Sequence, residues 1–520
     1  MIAKTSRRRF RPYATVVNIT LATALMIAST AHASGNNSAP PMTPIQHLVV
    51  IFQENNSFDH YFGTYPYARN PAGEPQFVAA PGTPSVNGLS GVLLTRNPNS
   101  INSTNGTGAI NPFRLDRSEA LTCDNINHYM AEQEAYHAGL MDLFPTYTSA
   151  TNSCPTGVSE APPGLAMGYY DGNTVTALWN YAQQYAMSDN FFATEFGTTV
   201  MGHLNLISGD TNQTNVTSNA DIVNGSVIAN INPPKSLDDC SSGTSVEMTS
   251  KNVGDLLNAQ GVTWGWFYGD FAATSFSGTT AVCDTNYNPH YDPFQYYAST
   301  ANPHHLPPTS VGAIGRTDQA NHQYDLGDFF SALAAGTLPS VSFVKAPFGY
   351  TGHPSDGSVL QEQTFLVDTI NQLARSRQWP GMAILITYDD SDGWYDHVMP
   401  PIVNQSASSV DALTAPGACG TGEAALPGDD PSDEHAQSRC GYGPRLPLLA
   451  ISPFSKTNYV DHGLADQTSI LRFIEDNWGL GRIGAQSYDA LAGSILGLFD
   501  FGQSNKPLIL NPDSGEKLFQ

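Results

Sequence analysis

The sequence predicts an α/β protein in which a doubly wound, mostly parallel β-sheet lies between helices. Two observations indicate this class: short runs of continuous apolar residues, and helical patterns between these runs. A strand covered on both faces is apolar throughout rather than alternating, as in a parallel sheet between two helical layers. Strands that alternate with helices are typical of this architecture.

Four apolar runs are the predicted strands, and two segments carry the clearest helical pattern. Ile470, Ile474 and Trp478 recur at four-residue spacing, which places them on one helix face. The predicted strands cover residues 47–52, 262–267, 382–387 and 446–451, and the predicted helices cover 173–187 and 466–478.

The polar stretches are predicted to be loops and insertions that frame a cleft on one large domain spanning residues 40–515. They cover about 67–115, 209–247, 300–325 and 403–445. The length would also permit two domains, but the sequence shows no clean boundary between them.

The charge balance argues against one class of partner. The 520 residues include 46 acidic and 22 basic ones, a net charge of −24. Such a field repels polyanions, so we expect no binding of nucleic acid. An anionic substrate is still compatible with the composition if a metal ion or local cations neutralise it.

The first 33 residues have the pattern of a secretory signal. Arg7, Arg8 and Arg9 precede an apolar stretch, and Ala31 and Ala33 are small residues two positions apart. The paired arginines indicate the twin-arginine route, so we predict a signal peptide over 1–33 and a periplasmic or secreted product. An uncleaved membrane anchor is the alternative.

All six cysteines follow this segment. An even number in an oxidising compartment predicts three disulfides, and pairing of neighbours along the chain would staple local insertions. A zinc site is the weaker alternative because no Cys-x-x-Cys spacing occurs. The cysteines are Cys123, Cys154, Cys240, Cys283, Cys419 and Cys440.

Acidic clusters follow two of the predicted strands. Gln53-Glu54-Asn55-Asn56 comes after the first, and Tyr388-Asp389-Asp390 comes after the third. In open α/β sheets, ligands bind beyond the carboxyl ends of the strands. Oxygen ligands from several strand ends suit a hard divalent cation, although a single Asp in a loop more often caps a neighbouring element.

Three motifs in the chain are specific enough to compare with known proteins. The first is Glu-Asn-Asn-Ser-Phe-Asp-His-Tyr-Phe-Gly at 54–63, and the second is Thr-Tyr-Asp-Asp-Ser-Asp-Gly-Trp-Tyr-Asp-His-Val at 387–398. The third combines Gly-Pro-Arg-Leu-Pro at 443–447 with Ile-Ser-Pro-Phe-Ser at 451–455. Together they resemble a family of bacterial phosphoesterases that includes phosphatidylcholine-type phospholipases C and a respiratory-burst-inhibiting acid phosphatase. The resemblance extends from His47 to about Leu480, and the family is similar in core fold to the alkaline phosphatase and sulfatase superfamily.

The resemblance implies a site with one divalent metal ion. Glu54, Asn55, Asp389 and Asp390 match its ligand positions, and Thr199 matches a hydroxyl nucleophile that also touches the metal. A metal ion beside a threonine hydroxyl lowers its pKa and activates it. Oxygen ligands favour calcium, magnesium or manganese, while zinc and iron compete by affinity.

The same resemblance implies histidines around the phosphoryl group. His290 and His353 match positions that bind phosphate oxygens or protonate the leaving group. His60 and His397, inside the first two motifs, are expected to orient carboxylates.

Three departures from the family pattern concern activity. Asn127 stands where the family has a histidine, so either the adjacent His128 turns in as a catalytic residue or one phosphate contact is lost. Tyr291 replaces a second histidine beside His290. The loop from Gly197 to Gly202 lacks two prolines, and we expect it to be less rigid.

The expected function is hydrolysis of a phosphate mono- or diester through a phosphothreonine intermediate, with transient contact to phospholipid. The acid-phosphatase and phospholipase C branches share these motifs, and the stretches 70–75 and 81–87 slightly favour the former. A weakly active or inactive phosphate-ester-binding protein is the alternative from another class. Sulfatase activity is disfavoured because no Cys/Ser-x-Pro-x-Arg motif occurs.

Overall fold

The apolar runs of the sequence form the middle of a β-sheet in the computed structural model of the chain. The structure describes residues 40–149, 153–156, 161–413, 419 and 438–518, and structural statements below concern these residues. The predicted signal peptide over 1–33 lies outside them.

The main sheet of the described residues has eight strands, which we number β1 to β8 in chain order. Their order across the sheet is β4-β3-β5-β1-β6-β7-β2-β8. All are parallel except β7, which is antiparallel to β6 and β2. The strands are β1 His47–Gln53, β2 Ala186–Ser188, β3 Trp264–Tyr268, β4 Gln323–Asp325, β5 Val341–Lys345, β6 Met382–Tyr388, β7 Leu448–Ile451 and β8 Tyr459–Asp461.

Helices of eight or more residues are numbered α1 to α7. They are α1 Tyr129–Tyr136, α2 Thr176–Gln184, α3 Thr199–Ser208, α4 Val253–Gln260, α5 Leu326–Ala335, α6 Val359–Ala374 and α7 Gln467–Trp478. Shorter helices are Phe58–Phe62, Val92–Thr95, Pro98–Ile101 and Phe144–Tyr147. Short paired strands are Phe113–Arg114, Gly168–Tyr169, Phe191–Phe192, Ala465–Asp466, Ile222–Val223, Ser226–Val227, Ser275–Ser277 and Thr280–Val282.

The sheet carries a hydrophobic core on each face. Leu48, Val50 and Phe52 of β1 pack into the core that also contains apolar residues of α1, α3, α4 and α7. Val49 and Ile51 point to the opposite core, with residues of α2, α5 and α6. This alternation explains why β1 is apolar at every position, and it confirms the predicted α/β fold with a mostly parallel sheet between helices.

The four predicted strands correspond to β1, β3, β6 and β7, and the two predicted helices to α2 and α7. Four strands were not predicted. Among them, β5 contains Ser342 and ends in Lys345, and β4 lies inside the stretch 300–325 that was predicted to be a loop.

Three disulfides link neighbouring cysteines. They join Cys123 to Cys154, Cys240 to Cys283 and Cys419 to Cys440, which confirms the predicted sequential pairing. Within the described parts of the chain, no helix has both the length and the apolar character needed to cross a bilayer.

The register of the sheet brings three strand ends together. Strand β1 lies between β5 and β6, with Gln53 opposite Tyr388 and Ile51 opposite Val344. The residues that follow β1 and β6, together with the end of β5, therefore share the carboxyl edge of the sheet, where α/β proteins bind ligands.

Candidate metal centre

The four predicted metal ligands meet at this edge. Glu54 and Asn55 follow β1, Asp389 and Asp390 follow β6, and each is at most 1% exposed. The backbone N–H of Asn55 donates to Asp389 Oδ1 at 2.9 Å, which ties the two strand ends together. Asn55 has a φ of 62°, a left-handed conformation that Asn tolerates better than most residues and that often marks a functional site.

Thr199 lies beside this group. It begins α3, is buried, and its Oγ1 donates to Asp390 Oδ2 at 3.4 Å. The N-terminal end of a helix favours negative charge, since its first N–H groups lack helical partners. The structure therefore places the predicted nucleophile next to a predicted ligand, at a helix end suited to an anion.

The donor set fits a hard cation. Glu54 Oε2, Asn55 Oδ1 and Asp389 Oδ2 are buried, and within the described residues none of them has a hydrogen-bond partner. Buried polar atoms are normally paired, because an unpaired one costs about 1–3 kcal/mol. Three such oxygens on adjoining strand ends are the ligands expected for a divalent ion.

His203 is a candidate ligand that the sequence interpretation missed. It lies one turn after Thr199 on α3, and its Nδ1 is 2.8 Å from Thr199 O. Because a carbonyl only accepts, Nδ1 carries the proton, and Nε2 is left 4.0 Å from Glu54 Oε1 with a lone pair. His203, Glu54 and Asp389 form a group of atoms compact enough to hold a metal ion. In the sequence, its spacing of four residues from Thr199 could have indicated that both side chains lie on the same face of a helix.

Lys345, at the end of β5, was also missed. It is fully buried, and its Nζ forms an ion pair with Glu54 Oε1. Burial lowers the pKa of Lys345 to about 7, although Asp389 and Asp390 favour its charged form. Nothing in the sequence around Lys345 indicated this position, because β5 itself was not predicted.

Glu132 of α1 holds the loop before Thr199. It accepts hydrogen bonds from the Gly197 N–H at 2.9 Å and from Ser391 Oγ at 2.6 Å. At Gly202 a β-carbon would come 2.1 Å from Asp389 O, so α3 and the Asp389 loop require glycine there for their close approach. These contacts constrain the loop from Gly197 to Gly202, which lacks the two prolines of the family pattern.

Electrostatics at the site favours a bound cation. Burial raises the pKa of Asp390 well above its usual value, and repulsion from Asp389 and Glu132 adds to this. Burial also raises the pKa of Glu132 to about 8, against the effect of its hydrogen bonds from Ser391 and Gly197. A divalent ion would offset this repulsion between buried carboxylates.

His290 and His353 lie at the edge of the group. Burial lowers the pKa of His290 to about 3, and repulsion from His203 and His353 contributes less. His290 Nε2 is 3.1 Å from Asn288 Nδ2. The side chain of His353 is 16% exposed, so a substrate can reach it.

The structure does not bring His128 into the group. Its side chain is exposed at the residue before α1, whereas Asn127 Nδ2 donates to Asp390 Oδ2 at 2.9 Å. The sequence left two alternatives, that His128 turns in or that one phosphate contact is lost, and the exposed position of His128 does not favour the first. Asn127, which the sequence interpretation had not assigned to the site, contacts Asp390 instead.

His60 and His397 differ in their contacts. His60 Nδ1 bonds to the carbonyl of Gly168 at 2.8 Å, so this contact is with a backbone carbonyl and not with the expected carboxylate. His397 Nδ1 lies 2.6 Å from Asp59 Oδ2, in a second buried acidic cluster with Asp396 and Arg445.

The fold and site thus define an α/β protein with an oxygen-rich candidate cation site at the carboxyl edge of its sheet. Residues 45–481 match the model of the Phosphoesterase family, so the chain belongs to that family.

Curated relatives are phospholipases C. The chain is 26% identical to the non-hemolytic phospholipase C of Pseudomonas aeruginosa, covering 99% of this chain and 66% of that protein. It is 23% identical to phospholipase C A of Mycobacterium tuberculosis, over 91% of this chain and 81% of that protein. The chain thus spans slightly less than two thirds of the Pseudomonas protein. Among solved structures, a Vibrio parahaemolyticus protein of the alkaline phosphatase superfamily matches 75% of this chain and 78% of its own, with 12% identity and a TM-score of 0.30.

Proposed function

We propose that this chain is a metal-dependent hydrolase of phosphoric esters that uses Thr199 as its nucleophile. One observation carries the proposal. Glu54, Asn55 and Asp389 each have a buried oxygen that has no partner among the described residues. These oxygens lie on the strand ends that also carry Asp390, to which the Thr199 hydroxyl donates. Membership of the Phosphoesterase family supports the reaction class.

Glu54, Asn55, Asp389 and Asp390 would hold a divalent ion, which would supply positive charge against the phosphoryl oxygens and lower the pKa of the Thr199 hydroxyl. The Thr199 hydroxyl already points its proton at Asp390 Oδ2. Thr199 Oγ1 attacks phosphorus as the bond to the leaving oxygen breaks, which gives a phosphothreonine that water then cleaves.

The histidines have separate roles in this proposal. His290 is neutral at ordinary pH because burial lowers its pKa to about 3, and it serves as a hydrogen-bond partner of phosphate oxygens. His353, at the accessible edge, gives a proton to the departing alcohol. Asn127 takes the place expected of a histidine, and His128 has no part in the chemistry.

Within this class we propose phosphodiesters of the phospholipase C type as the substrates. The names of the relatives support this choice. The stretches 70–75 and 81–87, which slightly favoured an acid phosphatase, include residues that form hydrogen bonds within the protein: Asn70 bonds to Asn173 and Phe77, and Asn87 bonds to Asp189 and His397. Export to the periplasm or medium is also proposed, with the three disulfides in support.

The test is to trap the intermediate. Purified protein is mixed with a ³²P-labelled phosphodiester, quenched rapidly in acid, and searched for labelled threonine. We expect label in the wild type, none in Thr199→Ala, and label in Thr198→Ala, whose hydroxyl is on the neighbouring residue. Absence of label and of turnover in the wild type would favour the phosphate-ester-binding alternative.

Substrate class is settled by a parallel assay. Turnover of p-nitrophenylphosphorylcholine is compared with that of p-nitrophenyl phosphate under the same conditions. We expect the diester to be preferred, and preference for the monoester would place the chain with the acid phosphatases.

A further inference from the structure

Lys345 occupies a position that stability alone does not explain. It is the last residue of β5, next to β1, and its side chain is fully buried. Fully buried lysines are rare, and an ion pair in the interior often contributes less stability than an apolar pair of the same size. A buried lysine at the ligand-binding edge of the sheet is therefore a candidate for function.

The surroundings of the ammonium group leave it capable of further bonding. Nζ pairs with Glu54 Oε1 and lies 4.8 Å from the centre of the Tyr291 ring and 5.7 Å from that of Phe52. An ammonium has three N–H donors. Within the described part of the chain, Glu54 is its one hydrogen-bond acceptor, so donors are left for a ligand.

Lys345 does not use the atom of Glu54 that a metal ion would need. The lysine binds Oε1, whereas Oε2 is one of the buried oxygens without a partner. The carboxylate can therefore bridge the lysine and a cation through its two oxygens. The Lys345 ammonium and a cation can therefore bind to Glu54 at the same time.

The charge balance of the site calls for a second cation. Glu54, Asp389 and Asp390 bring three carboxylates, whose repulsion a single divalent ion does not fully offset before a phosphate enters. The positions at which the family resemblance leads one to expect histidines are occupied by the uncharged Asn127 and Tyr291. Among the described residues, Lys345 is a buried side chain at this edge that can carry a positive charge.

We propose that Lys345 is a phosphate-binding residue, which donates to a non-bridging oxygen of the phosphoryl group while Glu54 Oε1 holds it in place. This inference rests on the proposed function, because it assumes that the site takes phosphoric esters. The phosphate would then contact two positive charges, the ammonium of Lys345 and the ion that the acidic ligands would hold.

The experiment measures binding of inorganic phosphate, the product, without turnover. Protein purified with its native metal content, checked by elemental analysis, is titrated with phosphate by calorimetry. The variants are Lys345→Met and Lys345→Gln, which remove the charge, and Lys345→Arg, which keeps it. Lys251→Met, at an exposed lysine, is the matched control.

We expect both neutral variants to bind phosphate at least tenfold more weakly, with metal content within twofold of wild type. Lys345→Arg should retain more affinity than either, and Lys251→Met should match the wild type. Circular dichroism identifies a variant that does not fold. If one of the two neutral variants fails to fold, the phosphate affinity of the other tests the proposal.

Other outcomes overturn the inference in distinguishable ways. Unchanged phosphate affinity in the neutral variants refutes it and leaves the proposed function intact. Tighter metal binding with unchanged phosphate affinity would show that Lys345 only competes with the metal for Glu54. If the wild type neither binds phosphate nor forms a phosphothreonine, both the inference and the proposed function fail.

Discussion

Two buried acidic clusters come from the same pair of sequence motifs, yet they differ in how their charges are matched. The first halves of the motifs supply Glu54, Asn55, Asp389 and Asp390, whose oxygens remain partly without partners. The second halves supply a cluster in which every carboxylate faces a cation. Its members are Asp59, Asp396, His397 and the buried Arg445 of the third motif.

Both clusters bring together enough metal-ligating groups to be candidate metal sites. In the second, Arg445 donates to Asp59 Oδ1 and Asp396 Oδ2 at 3.1 Å each, and to the carbonyls of Asn87 and Asp189. The guanidinium thus occupies the place that a cation would take. A count of acidic residues does not separate a ligand site from a structural ion network, whereas the pairing of individual oxygens does.

Arg445→Met provides the largest expected effect on this comparison. The change leaves the carboxylates of Asp59 and Asp396 buried without their main cation, which typically costs about 3–5 kcal/mol. Urea denaturation should show that loss in the free energy of unfolding, while Arg375→Met, at an exposed arginine, should leave it nearly unchanged. Equal stability of Arg445→Met and wild type would mean that this network does not hold the motifs together.

A pair of matched substitutions, Asp389→Ala and Asp396→Ala, tests which cluster binds the metal. Loss of a ligand removes several kcal/mol of transition-state stabilisation, and each 1.4 kcal/mol is a factor of ten, so Asp389→Ala should lower turnover by about a thousandfold. It should also lower the metal content measured after gel filtration. Asp396→Ala should be less stable but keep its metal, and the reverse pattern would exchange the roles of the clusters.

Glu132→Ala tests whether contacts replace the missing prolines of the Thr199 loop. Removing the acceptor of the Gly197 N–H and Ser391 Oγ should lower kcat by about 10- to 100-fold, a range typical of groups that support a metal site from outside. KM should change less than threefold, because substrate contacts remain. Glu132→Gln keeps the size and one of the two acceptor oxygens and should restore part of kcat. A kcat no higher than that of Glu132→Ala would imply that the second acceptor oxygen or the charge of Glu132 is needed.

The sequence predicted the parts of the molecule that have local patterns. The apolar runs of β1 and β6 and the acidic residues that follow them predicted the sheet edge and its two acidic clusters. The family resemblance then indicated which four residues of these clusters are candidate ligands. It did not predict β5, because Ser342 interrupts a short strand that ends in a charged residue. Lys345 was missed with it, since its proximity to Glu54 arises from pairing between strands about 290 residues apart.

The contacts of the histidines also could not be predicted from the sequence alone. Asn127 and His128 are adjacent in sequence, and only the start of α1 determines that Asn127 faces Asp390 while His128 faces solvent. His60 and His397 sit in equally recognisable motifs, yet one bonds to a carbonyl and the other to a carboxylate. Motif membership predicts that a residue is near the site, and tertiary contacts determine what it touches.

The smallest expected effect concerns the pH dependence of the structural cluster. Burial alone would lower the pKa of His397, but attraction to Asp59 outweighs it and the net shift is upward. Burial alone would raise the pKa of Asp59, but His397 and Arg445 reverse that and the net shift is downward. Both shifts favour the charged pair.

The signs of these shifts define a window of stability. The contribution of His397 is fully present below its unfolded pKa of about 6.5 and is lost as pH rises through the higher folded value. The contribution of Asp59 is present above about 3.9 and is lost as pH falls through its lower folded value. The pair should therefore stabilise the protein most between about pH 4 and 6.5.

His397→Gln should expose this window. At pH 5.5 the variant should be less stable than wild type by about 1 kcal/mol, the size of a partly accessible ion pair, and the difference should shrink as pH rises above 6.5. Urea unfolding at several pH values measures it. A difference that is independent of pH would show that His397 acts through its hydrogen bonds to Asp59 and Asn87 and not through its charge.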